Sequence, residues 1–322
     1  MALIDKFITD RYALYNGDCC EVVADLPSDS VGLSVYSPPF CGLYNYSSDE
    51  RDMSNSRTYD EFFDHYSFLV EQIARVTKPG RISAVHCMDI PNPGQRDGYF
   101  DLPGRIYDLH VRHGFNFFGR TMIWKEPLRV AVRTRLKHLT HKQLVKDSCG
   151  STFAAGDQVM VFKKKGENTE PVSHPFGFDR YAGAREMPPE MAATKGEPIQ
   201  QENRFSQWVW RQYASCVWDD IRIDRVLPYR EAKEPDDEKH VHPLQLDVIE
   251  RCIQLWSNPD DVVMTPFMGV GSETYGAVIN GRRAVGVELK TSYYKQSLRN
   301  MAAAMSAPGD GANEPTLFAV PA

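Results

Sequence analysis

The chain predicts an α/β fold, a mostly parallel sheet with helices on both faces, interrupted by one inserted region. Three observations lead there. Short apolar runs bounded by turn residues alternate with helix-period segments over residues 11–165. The alternation resumes at 243 and continues to 305. Between the two blocks, residues 166–238 are dominated by proline, glycine and charge, and their apolar periodicity is weak. Ligands in such sheets bind outside the carboxyl ends of the strands.

The elements follow in order. Residues 11–17 read as a short strand and turn with Asp18 at its end, and 19–26 as a helix closed by Pro27-Ser28-Asp29-Ser30. Residues 31–36 are an apolar run of strand length. Residues 41–57 are polar and aperiodic, and a mobile loop is expected there. Over 59–76, Phe62, Phe63, Tyr66, Leu69, Val70 and Ile73 recur at helical spacing, and Lys78-Pro79-Gly80 stops the helix. A strand is expected over 81–86, a helix over 101–113 closed by Gly114, and strands over 115–124 and 157–162. Within the middle stretch, Pro188-Pro189 and residues 233–239 read as loop and linker. The aromatic residues Phe205, Trp208, Trp210, Tyr213 and Trp218 read there as the small core of an inserted module. A helix over 244–256, a strand over 262–265, a helix over 273–280, a strand over 284–288 and a helix over 292–305 complete the series. Residues 306–322 are rich in Gly, Pro and Ala and are expected as a disordered tail. The domain reading is a discontinuous catalytic unit, 1–165 with 239–305, carrying 166–238 as an inserted recognition region.

Composition narrows the function classes. The chain has 322 residues, 42% of them hydrophobic, enough for a sizeable core. A net charge of −6 means that any nucleic-acid binding rests on a local basic patch. The seven cysteines are odd in number and show no Cys-x-x-Cys spacing, which points to reduced thiols and a cytoplasmic setting. The N-terminus lacks the pattern of a secretory signal, and no apolar run reaches membrane-spanning length, so no membrane partner is expected.

Two segments carry chemistry. Ser37-Pro38-Pro39-Phe40 follows the strand over 31–36. Proline fixes φ and donates no N–H, so carbonyls in this stiff turn stay free to accept hydrogen bonds. Phe40 beside them offers a stacking face, and the combination suits the exocyclic amine of a flipped-out base. The second segment is Thr265-Pro266-Phe267-Met268-Gly269-Val270-Gly271-Ser272, a strand end running into a Gly-rich turn and a helix. Glycines let a ligand approach the backbone, Ser272 reads as the N-cap, and the helix N–H groups open toward the ligand. Glu288 ends the next strand, at the spacing where a carboxylate accepts bonds from ribose hydroxyls.

These residues resemble those of the S-adenosylmethionine-dependent DNA amino-methyltransferases, which act on N4 of cytosine or N6 of adenine. Residues 37–40 are similar to that family's Ser/Asp-Pro-Pro-Tyr/Phe catalytic motif, and residues 265–271 to its Asp-Pro-Phe-x-Gly-x-Gly cofactor motif. The catalytic motif comes first, which is the beta order of the family. Gly17-Asp18, residues 76–80, Ile123-Trp124-Lys125, Val217-Trp218-Asp219 and His242-Pro243 also resemble family segments, and the likeness covers about 16–165 and 215–303. It departs in two places. Thr265 stands where the family usually has Asp, and only the first half of the usual His-Pro-x-x-Lys-Pro is present.

The resemblance implies a Rossmann-like class I methyltransferase fold with S-adenosylmethionine as cofactor. It implies that Ser37 and the Pro38 carbonyl accept the amine N–H groups and that Phe40 stacks on the base, with Pro39 completing the catalytic motif. Asp18, His242, Thr265, Pro266, Phe267, Gly269, Gly271, Ser272 and Glu288 become the candidate cofactor residues. Serine at the first motif position is commoner among N4-cytosine members, which favours cytosine and leaves adenine N6 open.

Arg129, Arg133, Arg135, Lys137 and Lys142 form a basic run suited to phosphates of double-stranded DNA. It reads equally well as a solvated helix face. Tyr44 and Tyr46 are the expected lid over the flipped base. His138 and His141 lack further ligands at metal-site spacing, so no metal is assigned. A homodimer is kept open. So are methyl transfer to RNA or a protein amine and a degenerate DNA-binding subunit. A dehydrogenase fits poorly, because no Gly-x-Gly-x-x-Gly occurs.

Overall fold

In the computed structural model, residues 3–40, 47, 49–92, 98–134, 140–232 and 243–306 are described. The chain begins with a hairpin that the sequence reading did not anticipate. β1 (Leu3–Ile8) runs antiparallel to β2 (Tyr12–Gly17). The Thr9 hydroxyl fixes the turn by accepting from the Arg11 and Tyr12 N–H groups at 3.2 and 3.0 Å. Asp18 then caps α1 (Cys19–Asp25), accepting from the N–H groups of Cys20 and Glu21. β3 (Val31–Tyr36) is buried at every position.

α2 (Tyr59–Val76) starts at Thr58, whose side chain accepts from the Glu61 N–H, and its foreseen apolar stripe is buried. The stop at Lys78-Pro79-Gly80 is a bulge rather than a loop. β4 spans Thr77–Met88, and its register on β3 passes from Val31↔Thr77 to Leu33↔Ile82. Two small strands, β5 (Ile90–Pro91) and β6 (Tyr99–Phe100), pair with each other. α3 (Leu102–Arg112), β7 (Phe115–Ile123), α4 (Pro127–Thr134), α5 (His141–Lys146) and β8 (Asp157–Lys164) follow.

The stretch from 166 contains α6 (Pro189–Ala192), α7 (Arg204–Tyr213) and β9 (Val217–Trp218). Phe205, Val209 and Tyr213 of α7 form a small core with Phe178, Tyr181 and Trp208; of the aromatic set expected there, Trp210 is exposed instead and Trp218 belongs to the core of the main sheet. β9 pairs with β7, so this stretch also supplies a strand of the main sheet. α8 (Leu246–Trp256), β10 (Val262–Thr265), α9 (Ser272–Ile279), β11 (Arg283–Glu288) and α10 (Thr291–Ser306) complete the chain.

The nine-stranded sheet has the order β1-β2-β11-β10-β3-β4-β8-β7-β9. Strands β2, β11, β10, β3 and β4 are mutually parallel, and β8 lies antiparallel between β4 and β7. This is the mostly parallel sheet that the alternation predicted. Buried residues form two large clusters, one including α8 and α9 and the other α2 and α3. β3 and β10 are neighbours, with Val263↔Leu33 and Met264↔Ser34 in register. Their carboxyl ends therefore leave the sheet side by side, in the position where α/β sheets bind ligands.

Candidate active site

A cavity of about 280 Å³ lies at this sheet edge. Residues 37–40 line one part of it, and Pro266, Phe267, Met268 and Gly269 line another. The two segments singled out in the sequence, far apart in the chain, thus share one cleft.

Ser37 begins a chain of polar contacts. Its Oγ lies 2.8 Å from His86 Nδ1. His86 Nε2 lies 2.9 Å from Asp157 Oδ2, and the Lys125 ammonium pairs with the same oxygen. Burial alone would raise the Asp157 pKa, but Lys125 and His86 together hold the carboxyl well below the usual carboxylate range. The ionised carboxylate can only accept, so in the neutral imidazole of His86 the proton sits on Nε2 and Nδ1 is left as an acceptor. Ser37 must then donate its O–H to Nδ1, which keeps the Oγ lone pairs free for a donor in the cavity. All four residues line that cavity.

Sequence reasoning missed His86, Asp157 and Lys125 as site residues. They end or begin strands that looked purely structural. β8 runs against β4 and β7, so its first residue emerges at the edge where those strands finish. The signal available was a polar residue at each of three strand termini; the reversed strand that gathers them could not be read from periodicity.

The second part of the cavity fits a nucleotide-like ligand. Gly269 has φ +53, and a Cβ there would meet nothing within 4 Å, so its bare face opens on free space. Glu288 Oε2 accepts from the Gly269 N–H at 2.8 Å and Oε1 from the Lys290 N–H at 2.7 Å. Both oxygens keep lone pairs for a ligand's hydroxyls. Burial pushes the Glu288 pKa up to about 7 against the pull of these two N–H groups. Buried Asn16 ties the ends of β2 and β11 together, donating to the Glu288 carbonyl at 2.8 Å and the Leu289 carbonyl at 2.9 Å. Asp18 lines the cavity while capping α1.

Other residues of the Gly-rich segment sit differently from expectation. Gly271, not Ser272, is the N-cap of α9, in the left-handed region at φ 92. Ser272 is the first helical residue and lines the cavity, and its buried Oγ has no hydrogen-bond partner among the described residues. Gly271 serves packing, because a Cβ there would lie 3.0 Å from the Ser297 Cβ of α10. Thr265 is 1% exposed, its Oγ1 is also unpartnered among the described residues, and neither Thr265 nor Gly271 lines the cavity. Glu273, absent from the sequence reading, does line it.

Of the basic run, Arg129 lines the cavity and pairs with Asp224 at 3.6 Å. Lys142 is exposed on α5, away from the cavity lining. Tyr44, Tyr46, Arg135, Lys137 and His242 lie outside the described residues, as does the Arg133 side chain. Of the stretch expected as a loop over 41–57, Ser47, Arg51, Asp52 and Met53 line the cavity. Asp18, Cys19 and Cys20 place potential metal-ligand atoms within 4.8 Å of one another, but Asp18 Oδ1 is engaged by the helix cap. No helix among the described residues is long and apolar enough to cross a membrane.

Comparison with known proteins gives consistent matches. The DNA methylase family model for N6- and N4-directed enzymes matches residues 31–299. The Type II methyltransferase M.BglII of Bacillus subtilis is 24% identical over 283 residues, covering 87% of this chain and 66% of that protein. The DNA adenine methyltransferase YhdJ of Escherichia coli K12 is 22% identical over 300 residues, covering 92% and 84%. Among solved structures, the cytosine-N4-specific PvuII DNA methyltransferase superposes with a TM-score of 0.59 at 16% identity, over 92% of this chain and 89% of that one. TTHA0409 of Thermus thermophilus, in complex with S-adenosyl-L-methionine, gives 0.57 at 20% identity over 92% and 96%.

Proposed function

We propose a reaction from the premise that this chain belongs to the DNA methylase family acting on N6 and N4 amines: it methylates the exocyclic amine of a flipped base in double-stranded DNA, with N4 of cytosine favoured. One observation carries this reading. The Ser37-Pro38-Pro39-Phe40 turn and the Gly269 turn open on a single cavity, and Ser37 is linked to a proton-accepting chain within it.

An exocyclic amine is a poor nucleophile, because its lone pair delocalises into the ring. Ser37 Oγ and the Pro38 carbonyl accept its N–H groups and draw the nitrogen toward a tetrahedral geometry. Phe40 supplies the stacking face that holds the base. When bound, S-adenosylmethionine supplies the electrophilic methyl group, held by Glu288, the Gly269 turn and the walls of Pro266 and Phe267. Once the nitrogen becomes cationic it must lose a proton. Ser37 takes that proton while passing its own to His86 Nδ1, and the paired Asp157 stabilises the resulting imidazolium. Most of the acceleration comes from positioning the amine against the methyl donor.

Serine at position 37 favours cytosine by the family's motif preference. The likeness to an adenine methyltransferase keeps N6 of adenine as the second reading. We assign target recognition to 166–238, where Tyr229 already reaches the cavity lining. Arg129 at the cavity is the first candidate for phosphate contact.

The test is direct. Plasmid DNA is incubated with the protein and methyl-labelled cofactor, digested to nucleosides, and the labelled base identified. Label in N4-methylcytosine is expected, and Ser37→Ala should remove it while the protein stays folded. Label in RNA or in protein alone would overturn the reading.

A further inference from the structure

Five acidic residues line the cavity: Asp18, Asp52, Asp157, Glu273 and Glu288. Four are engaged by donors from other residues. Asp18 accepts from the Cys20 and Glu21 N–H groups. Asp52 accepts from the Ser47 and Ser54 hydroxyls. Asp157 holds His86 and Lys125, and Glu288 holds two backbone N–H groups. Glu273 stands apart. It is 5% exposed in the first turn of α9, and among the described residues its carboxylate meets only its own backbone N–H. Next to it in the chain, Ser272 is 2% exposed and lines the same cavity, and among the described residues its hydroxyl has no partner.

A buried carboxylate without a cation is unfavourable, and the start of a helix offsets only part of that cost. A ligand that brings a positive charge removes the penalty. The backbone donors already fit Glu288 for a sugar's paired hydroxyls. Ser272 and Glu273 instead bring a donor and an acceptor to the lining of one cavity, which matches a carboxylate and an ammonium on one carbon. We infer that Glu273 is the counter-charge for the α-ammonium at the amino-acid end of the cofactor, with the Ser272 hydroxyl donating to the adjacent carboxylate. Burial and the neighbouring Glu288 charge push the Glu273 pKa up to about 8, as expected for an acid awaiting its cation. This role rests on the cofactor reading above and adds the residue that reads the amino-acid end.

Two nucleosides test it by titration calorimetry: S-adenosylhomocysteine, and 5′-methylthioadenosine, which lacks the amino-acid group. The wild type should bind the first more tightly. Glu273→Gln should shrink that preference at least tenfold while methylthioadenosine affinity stays within about twofold, which also reports an intact fold. If glutamine at 273 prevents folding, Glu273→Thr read the same way decides the matter. An unchanged preference in a protein that binds both nucleosides overturns the role of Glu273 alone. A wild type that binds neither overturns the cofactor reading and this assignment together.

Discussion

At the scale of single residues, the direction of the proposed proton path depends on one carboxylate. Asp157 can only accept while it is ionised, and Lys125 keeps it so. That fixes the His86 tautomer and with it the direction in which Ser37 donates. Asp157→Asn exchanges an acceptor for an amide whose NH₂ can donate to Nε2, which drives the imidazole proton onto Nδ1. Ser37 then loses its acceptor. The expected result is a fall in kcat of about 10²-fold or more, with cofactor affinity unchanged by calorimetry. A fall confined to KM would show that Asp157 serves binding instead. The place of Ser37 in the cavity lining was legible because diproline turns are rare and chemically distinctive. His86 and Asp157 were not, since each looks like an ordinary polar end of an apolar strand, and their meeting depends on β8 being reversed.

At the scale of elements, the turn between β10 and α9 contains two glycines with different duties. Gly269 faces open space in the cavity, whereas Gly271 touches α10. Both have positive φ, so each Gly→Ala carries a backbone cost of about 1–2 kcal/mol. Gly271→Ala adds a contact at 3.0 Å with Ser297 Cβ, and should be the more destabilising of the two in thermal melts. Gly269→Ala should melt closer to wild type yet bind S-adenosylmethionine about tenfold more weakly, because its methyl group occupies ligand space. Equal effects of the two variants on both measurements would remove the distinction. The alternating elements on either side of the middle stretch were readable because each apolar run ends in strong turn residues. Two features were not. β9 is only two residues long, too short for periodicity to register, yet it completes the sheet edge. The Lys78-Pro79-Gly80 signal ended α2 as read, but the chain turned it into a bulge within β4 rather than a loop.

At the scale of the whole molecule, topology brings the chemistry together. β3 and β10 lie side by side although more than two hundred residues separate them, so the turns that follow them share one crevice. α8 also anchors the middle stretch to the sheet. Buried Arg251 donates to the Ala182 carbonyl at 2.7 Å, pairs with Asp220 at 2.7 Å, and lies against Tyr213 and Trp218. The region proposed to read DNA is thereby attached to a helix that packs on α9, β3 and β4. The account's central claim is that amine and methyl donor meet across this crevice, and a ternary crystal structure with duplex DNA and the unreactive cofactor analogue sinefungin tests it most directly. It should show one base out of the stack, its ring on Phe40, its amine within hydrogen-bond reach of Ser37 Oγ, and the analogue's own amine, which stands where the cofactor carries its sulfonium methyl, facing the same nitrogen from the Gly269 side. A base left in the helix, or an analogue bound away from Gly269 and Glu288, would contradict it.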